Sequence, residues 1–182
     1  MVVGISGKMG SGKDLVYNML CELSSVDFEN KKFAYPIKWI VSVLIGCDIR
    51  QLEDRKFKET ELGEEWDGLT PRKLLQLLGT EAGREIIHPN IWVNALFADY
   101  SKDSNWIITD VRFPNEAKAI KDKGGILIRI NRPQYLDNGL VIRKNEHLSE
   151  TSLDDYDKFD YVIENDGTVQ DLIDKVKALN IV

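Results

Sequence analysis

The residues Gly7-Lys8-Met9-Gly10-Ser11-Gly12-Lys13-Asp14 have the types and spacing needed to hold phosphate. Glycines let backbone N–H groups converge on one point without Cβ clashes. The apolar run Val2-Val3-Gly4-Ile5 precedes them, and Leu15, Val16, Met19, Leu20 and Leu23 follow at helical spacing. Strand, glycine loop and helix in that order make an anion cradle, because the helix N-terminus adds unpaired donors and partial positive charge. Lys13 completes the G-x-x-x-x-G-K skeleton of a P-loop and can reach the outer phosphates as a point charge. That pattern calls for Ser or Thr next, whose hydroxyl binds Mg²⁺; this chain has Asp14. A carboxylate there can hold the metal, directly or through water. It can equally serve as an anion in the first helical turn.

Other chemistry-bearing residues lie farther along. Trp106-Ile107-Ile108-Thr109-Asp110 reads as a buried strand ending in a carboxylate. Such an aspartate is the expected second half of a P-loop site, because it lies beside the loop and can hold Mg²⁺ through water. Arg112 shares a face with Asp110 if the strand continues that far. Arg72, Glu81 and Arg84 punctuate a helical stretch near its ends and glycines. Surface placement and ligand contact both remain open for them. Arg129 and Arg132 flank the end of a fourth strand, and Arg143 follows in a polar loop. His147 is read as positioning or structural. A substrate phosphate is already an anionic nucleophile, so transfer between phosphates needs no base.

These residues need a frame. The chain has 182 residues, near the size of one domain, and 43% are hydrophobic, enough for a core. A net charge of -6 argues against a protein that coats nucleic acid. Cys21 and Cys47 form no framework and read as core residues. No apolar run is long enough to span a bilayer and the N-terminus reads as a strand, so a cytoplasmic location is expected. Lys31 to Pro36 reads as a short strand, followed by an apolar helix over Ile37–Ile45 and a charged segment over Asp48–Asp67. Thr70-Pro71 starts a helix, Gly79 to Arg84 interrupts it, and Pro89-Asn90 starts another carrying Trp92. Gly124-Gly125 caps a helix before the strand Ile126–Ile130. Asp160–Ile163 is a last strand, and Val169, Leu172, Ile173, Val176 and Leu179 mark a closing helix. Alternating strands and helices imply an α/β fold: a five-stranded parallel sheet with helices on both faces. Ligands bind at the carboxyl ends of such strands.

Four stretches together resemble the phage-type deoxynucleoside monophosphate kinases. They are Ser11-Gly12-Lys13-Asp14, Leu78-Gly79-Thr80-Glu81 with Arg84, Thr109-Asp110-Val111-Arg112-Phe113, and His147-Leu148-Ser149-Glu150. Aspartate after the P-loop lysine is this family's usual choice. Thr often follows that aspartate in the family, whereas here it is Leu15. The resemblance implies transfer of the γ-phosphoryl group of ATP, with Mg²⁺, to a deoxynucleoside 5′-monophosphate. It implies a single P-loop kinase domain over residues 1–182, with a substrate-binding insert at about 48–100 and a lid at about 131–150.

On this reading Gly7, Lys8, Met9, Gly10, Ser11, Gly12 and Lys13 hold ATP, and Asp14 and Asp110 hold Mg²⁺. Arg129, Arg132 and Arg143 are candidates to close over the transferring group, with Glu150 orienting a lid arginine. Arg72, Arg84 and Arg112 would clamp the acceptor phosphate, since arginine pairs with phosphate in bidentate fashion. Thr80, Glu81 and Trp92 complete the substrate set, with core packing as the alternative for Trp92. The partners are small nucleotides, without nucleic-acid polymer or membrane; monomer and homodimer both stay open. The rival readings are a kinase of another phosphorylated small molecule, similar to animal-type phosphomevalonate kinases, and a non-catalytic nucleotide-binding module.

Overall fold

The computed structural model describes residues 1–133 and 147–181. Five parallel strands form one sheet: β1 (Val2–Gly7), β2 (Glu29–Lys31), β3 (Trp106–Val111), β4 (Ile126–Asn131) and β5 (Tyr161–Glu164), in the order β2-β3-β1-β4-β5. All pairings are parallel, with Val3 opposite both Ile107 and Ile126. β1 is buried along its whole length, as a central strand covered on both faces must be.

The two faces carry different helices. Val3, Ile5, Ile107, Ile128 and Ile130 pack with Val16, Met19 and Leu20 of α1 (Lys13–Leu23) and Leu172 and Val176 of α8 (Val169–Ala178). On the opposite face α6 (Pro114–Asp122) lies close over Gly4, where a Cβ would come within 2.6 Å of Ile120 Cδ1. Burying this apolar surface contributes about 25 cal/mol per Å². Gly124, at φ +72°, turns the chain from α6 into β4.

The chain divides into two compact units, residues 1–32 with 99–182, and residues 33–98. The second is helical: α2 (Tyr35–Ile45), α3 (Arg55–Glu59), α4 (Pro71–Leu77), a π-helical stretch over Leu78–Ile87, and α5 (Ile91–Leu96). It begins some way before residue 48, because α2 packs with α4 in this unit. Thr70 Oγ1 accepts the Lys73 N–H and Pro71 stands at the first helical position, as the sequence implies.

Two local expectations are corrected. The second strand is Glu29–Lys31, not Lys31 to Pro36. Tyr35-Pro36 instead opens α2, where the missing proline N–H costs nothing, and Phe33 turns into the second unit against Phe97, ring centroids 6.2 Å apart. Gly79 to Arg84 does not interrupt the helix, which continues through it with π geometry. Those glycines serve packing. A Cβ on Gly83 would come 2.5 Å from the Leu78 carbonyl oxygen and 2.7 Å from Trp92 Cζ2. The cysteines, expected in the core, are half-buried.

Candidate functional site

The loop between β1 and α1 has the backbone its glycines foretell. Gly10 (φ +75°) and Gly12 (φ +101°) are left-handed, and a Cβ on Gly7 would come 2.5 Å from Ser11 Oγ and 2.6 Å from the Ile130 carbonyl oxygen. Gly12 is the N-cap of α1 and has no side chain to occupy its first-turn N–H groups. Ser11 Oγ is buried and makes no hydrogen bond among the described residues. An orphaned buried hydroxyl beside an uncapped helix N-terminus fits a bound phosphate chain. Asn165 Nδ2, just past β5, donates to the Ser11 carbonyl (2.9 Å) and steadies the loop from the edge strand two places away.

Lys13 Nζ donates to the carbonyls of Gly7 and Lys8, both at 2.8 Å. Burial, followed by the Arg112 guanidinium, lowers its pKa from 10.5 to about 8, while Glu150, Asp14 and Asp110 pull the other way. The two aspartates singled out for Mg²⁺ therefore act on the same ammonium that would meet the phosphates. Among the described residues there is no cluster of three or more His, Cys, Asp or Glu side chains able to hold a metal. Two carboxylates complemented by water and phosphate oxygens fit Mg²⁺, which keeps several waters and needs no protein cage.

Ser6, Gly7, Val111, Arg112, Arg129, Ser149, Glu150 and Leu153 line a small recess beside the loop. β3 ends at Val111, so the strand does not continue to Arg112. Its N–H and that of Phe113 donate to Glu116 Oε2 (2.7 and 3.0 Å), a buried carboxylate that caps α6 and fixes this turn. The Arg112 guanidinium donates to the Ser149 carbonyl (3.1 Å) and pairs with Glu150. The Arg112–Glu150 pair lies in the first compact unit, whereas Arg72 and Arg84 belong to the second.

Arg129 lies on β4. It stands opposite Ser6 in the sheet, donating to Ser6 Oγ (3.0 Å), Asn131 Oδ1 (3.2 Å) and Asp154 Oδ1 (3.1 Å). Its guanidinium is thus held on three sides, with its carbon 5.8 Å from the Phe159 ring centroid. Exposed Arg132 does reach the loop, with Nη1 donating to the Gly10 carbonyl at 3.3 Å. Arg143 lies outside the described residues, as does most of the expected lid. His147 is the N-cap of α7 (Leu148–Thr151), its Nδ1 accepting the Ser149 N–H at 3.3 Å, which is a structural role.

Within the second unit, Arg72 Nη2 donates to Glu59 Oε1 (3.1 Å), while its Nε is buried without a hydrogen-bond partner among the described residues. Glu81 and Arg84 stand on the π-helical stretch, with Glu81 Oε2 and Arg84 Nε and Nη1 out of solvent. Thr80 is buried. Trp92 is 4% exposed and donates its indole N–H to the Gly79 carbonyl at 2.8 Å. Burial and this bond fit the core-packing alternative for Trp92.

Reasoning from sequence missed Ser6, Glu116, Asp154 and Asn165. Asn165 had a usable signal, since it follows the last strand at the ligand-binding edge. Glu116, three residues after Phe113, sits at capping-box spacing. Nothing in the pattern marks Asp154.

Residues 48–176 match the family model described as deoxynucleotide monophosphate kinase. That match begins after the phosphate loop, so the loop geometry is an independent observation. The chain is 29% identical to a protein of Acanthamoeba polyphaga mimivirus provisionally named deoxynucleotide monophosphate kinase, over 97% of this chain and 94% of that one. It is 27% identical to the deoxynucleoside-5′-monophosphate kinase of Escherichia phage T5, over 67% of this chain and 72% of the relative. Among solved structures, shikimate kinase from Aquifex aeolicus vf5 aligns with a TM-score of 0.49 and 16% identity, covering 98% of this chain and 95% of that one.

Proposed function

The chain belongs to the deoxynucleotide monophosphate kinase family, and on that premise we propose that it transfers the γ-phosphoryl group of ATP to a deoxynucleoside 5′-monophosphate, giving the diphosphate. The observation that carries the proposal is the phosphate loop: left-handed Gly10 and Gly12, the orphaned Ser11 hydroxyl, and Lys13 held at the Gly7 and Lys8 carbonyls.

Phosphoryl transfer needs charge neutralisation and in-line positioning more than covalent chemistry. The loop N–H groups and Lys13 hold the β- and γ-phosphates. A phosphate dianion beside Lys13 keeps it charged, reversing the effect of burial. Asp14 and Asp110 hold the metal, and Mg²⁺ when bound neutralises the phosphate oxygens. Arg132, already at the Gly10 carbonyl, is the arginine assigned to the transferring group. Arg72 and Arg84 of the second unit are assigned to the acceptor phosphate, and Glu81 to the base or sugar. The acceptor's own phosphate oxygen attacks, so no protein base is required. Such nucleotides are cytoplasmic metabolites, and we assign the reaction to the cytoplasm. No helix among the described residues is long and apolar enough to cross a membrane.

The test is ATP-dependent diphosphate formation, measured against a panel of deoxy- and ribonucleoside monophosphates. Turnover that depends on a deoxynucleoside monophosphate supports the proposal. ATP consumption with another phosphorylated acceptor, and none with any nucleotide, would overturn it.

A further inference from the structure

The segment after the expected lid is fastened to the phosphate loop by one carboxylate. Leu153 is 3% exposed and lines the recess beside the loop together with Ser6 and Gly7. The next residue, Asp154, accepts from Lys8 Nζ on Oδ2 (3.0 Å) and from Arg129 Nη2 on Oδ1 (3.1 Å). Each partner leads into the loop. The Lys8 carbonyl accepts from Lys13 Nζ (2.8 Å) and from the Ser11 N–H (3.2 Å). Arg129 Nη1 donates to the hydroxyl of Ser6, the residue before Gly7.

We propose that Asp154 is a positioning residue for ATP binding: its carboxylate grips the phosphate loop at Lys8 directly and at Ser6 through Arg129, and so fixes the carbonyl that orients Lys13. The proposal rests on the reading of this loop as the ATP site. It also reassigns the Lys8 side chain from phosphate contact to scaffold. Both Asp154 links are charge-assisted, one joining residues 146 apart in the chain and the other residues 25 apart. A preorganised loop binds without first spending binding energy on its own ordering.

Charge and positioning predict opposite signs here, which makes the test decisive. Asp154→Asn removes a negative charge near an anionic ligand, so through-space electrostatics alone predicts tighter ATP binding. Loss of positioning predicts weaker binding. Calorimetric titration with Mg-ATP, without acceptor, should show affinity falling about tenfold in Asp154→Asn, equivalent to ~1.4 kcal/mol. Lys8→Met breaks the same link from the other side and should also weaken ATP, with the double variant losing less than the sum of the two single changes. The KM for the monophosphate should move less than twofold, and Asp154→Glu should recover part of the affinity. Unchanged or tighter ATP binding in folded Asp154→Asn, or additive losses in the double variant, overturns the proposal. Failure of the wild-type protein to bind ATP overturns the reading of the loop itself, and shows without any variant.

Discussion

Replacing Lys13 with methionine should abolish most turnover while relieving the nucleotide-free fold of a burden at neutral pH. The lysine is largely buried, and its pKa falls from 10.5 to about 8, so its charged form is costly in the folded chain. Below pH 8 both folded and unfolded chains carry the proton and the full penalty applies. Between about 8 and 10.5 the folded chain releases the proton first, so native stability rises with pH. Above 10.5 the penalty is gone. From pH 7 to pH 10 the wild type should therefore gain about 2 kcal/mol relative to Lys13→Met, after allowance for partial exposure. Methionine also forfeits the bonds to the Gly7 and Lys8 carbonyls, each worth ~0.5–1.5 kcal/mol, so the variant should be near wild-type stability at pH 7 and weaker at pH 10. Urea unfolding of both proteins across that range, in EDTA and without nucleotide, measures the difference; groups common to both cancel. Turnover of the variant should fall by roughly 10²–10³-fold. A stability difference that stays flat from pH 7 to pH 10 would refute the argument from burial, and near-normal turnover in a folded variant would refute the phosphate role.

Asp14→Asn should raise the Mg²⁺ concentration needed for half activity; if Asp14 only serves the α1 dipole, the effect is instead a loss of ~0.3–1 kcal/mol in a melting curve. Arg84→Ala should raise KM for the monophosphate and leave KM for ATP nearly unchanged. Weakened ATP with an unaffected monophosphate in steady-state kinetics would reverse the assignment. Arg132→Ala should lower kcat with little effect on either KM, because an arginine acting on charge that develops in the transition state contributes nothing to ground-state binding. Loss of that kind can reach roughly 10³–10⁵-fold, and an unchanged kcat would remove Arg132 from the transfer step.

Local rules made much of the phosphate site legible. Gly7, Gly10 and Gly12 are required by the loop's own backbone and close approaches, and the strand that carries Asp110 near its end announces itself by its apolar run. The α/β alternation likewise implied the parallel sheet, because each apolar strand needs a helix to cover it. Proline at 36 was misleading, since it ends a strand and begins a helix equally well, and only the burial of Phe33 against Phe97 selects the helix. The Gly79–Gly83 stretch was misleading for a similar reason: glycine breaks a helix in solution but admits Trp92 in a packed one.

The sequence by itself therefore determined what one segment can settle alone: a phosphate loop, its lysine, a carboxylate at a strand end, and the order of strands and helices along the chain. Only the tertiary structure decided which charges meet. Arg112 with Glu150, and Asp154 with Lys8 and Arg129, join residues distant in the chain. An arginine's partner depends on which carboxylate the folded backbone brings within about 3 Å, a distance that carries no trace in local spacing.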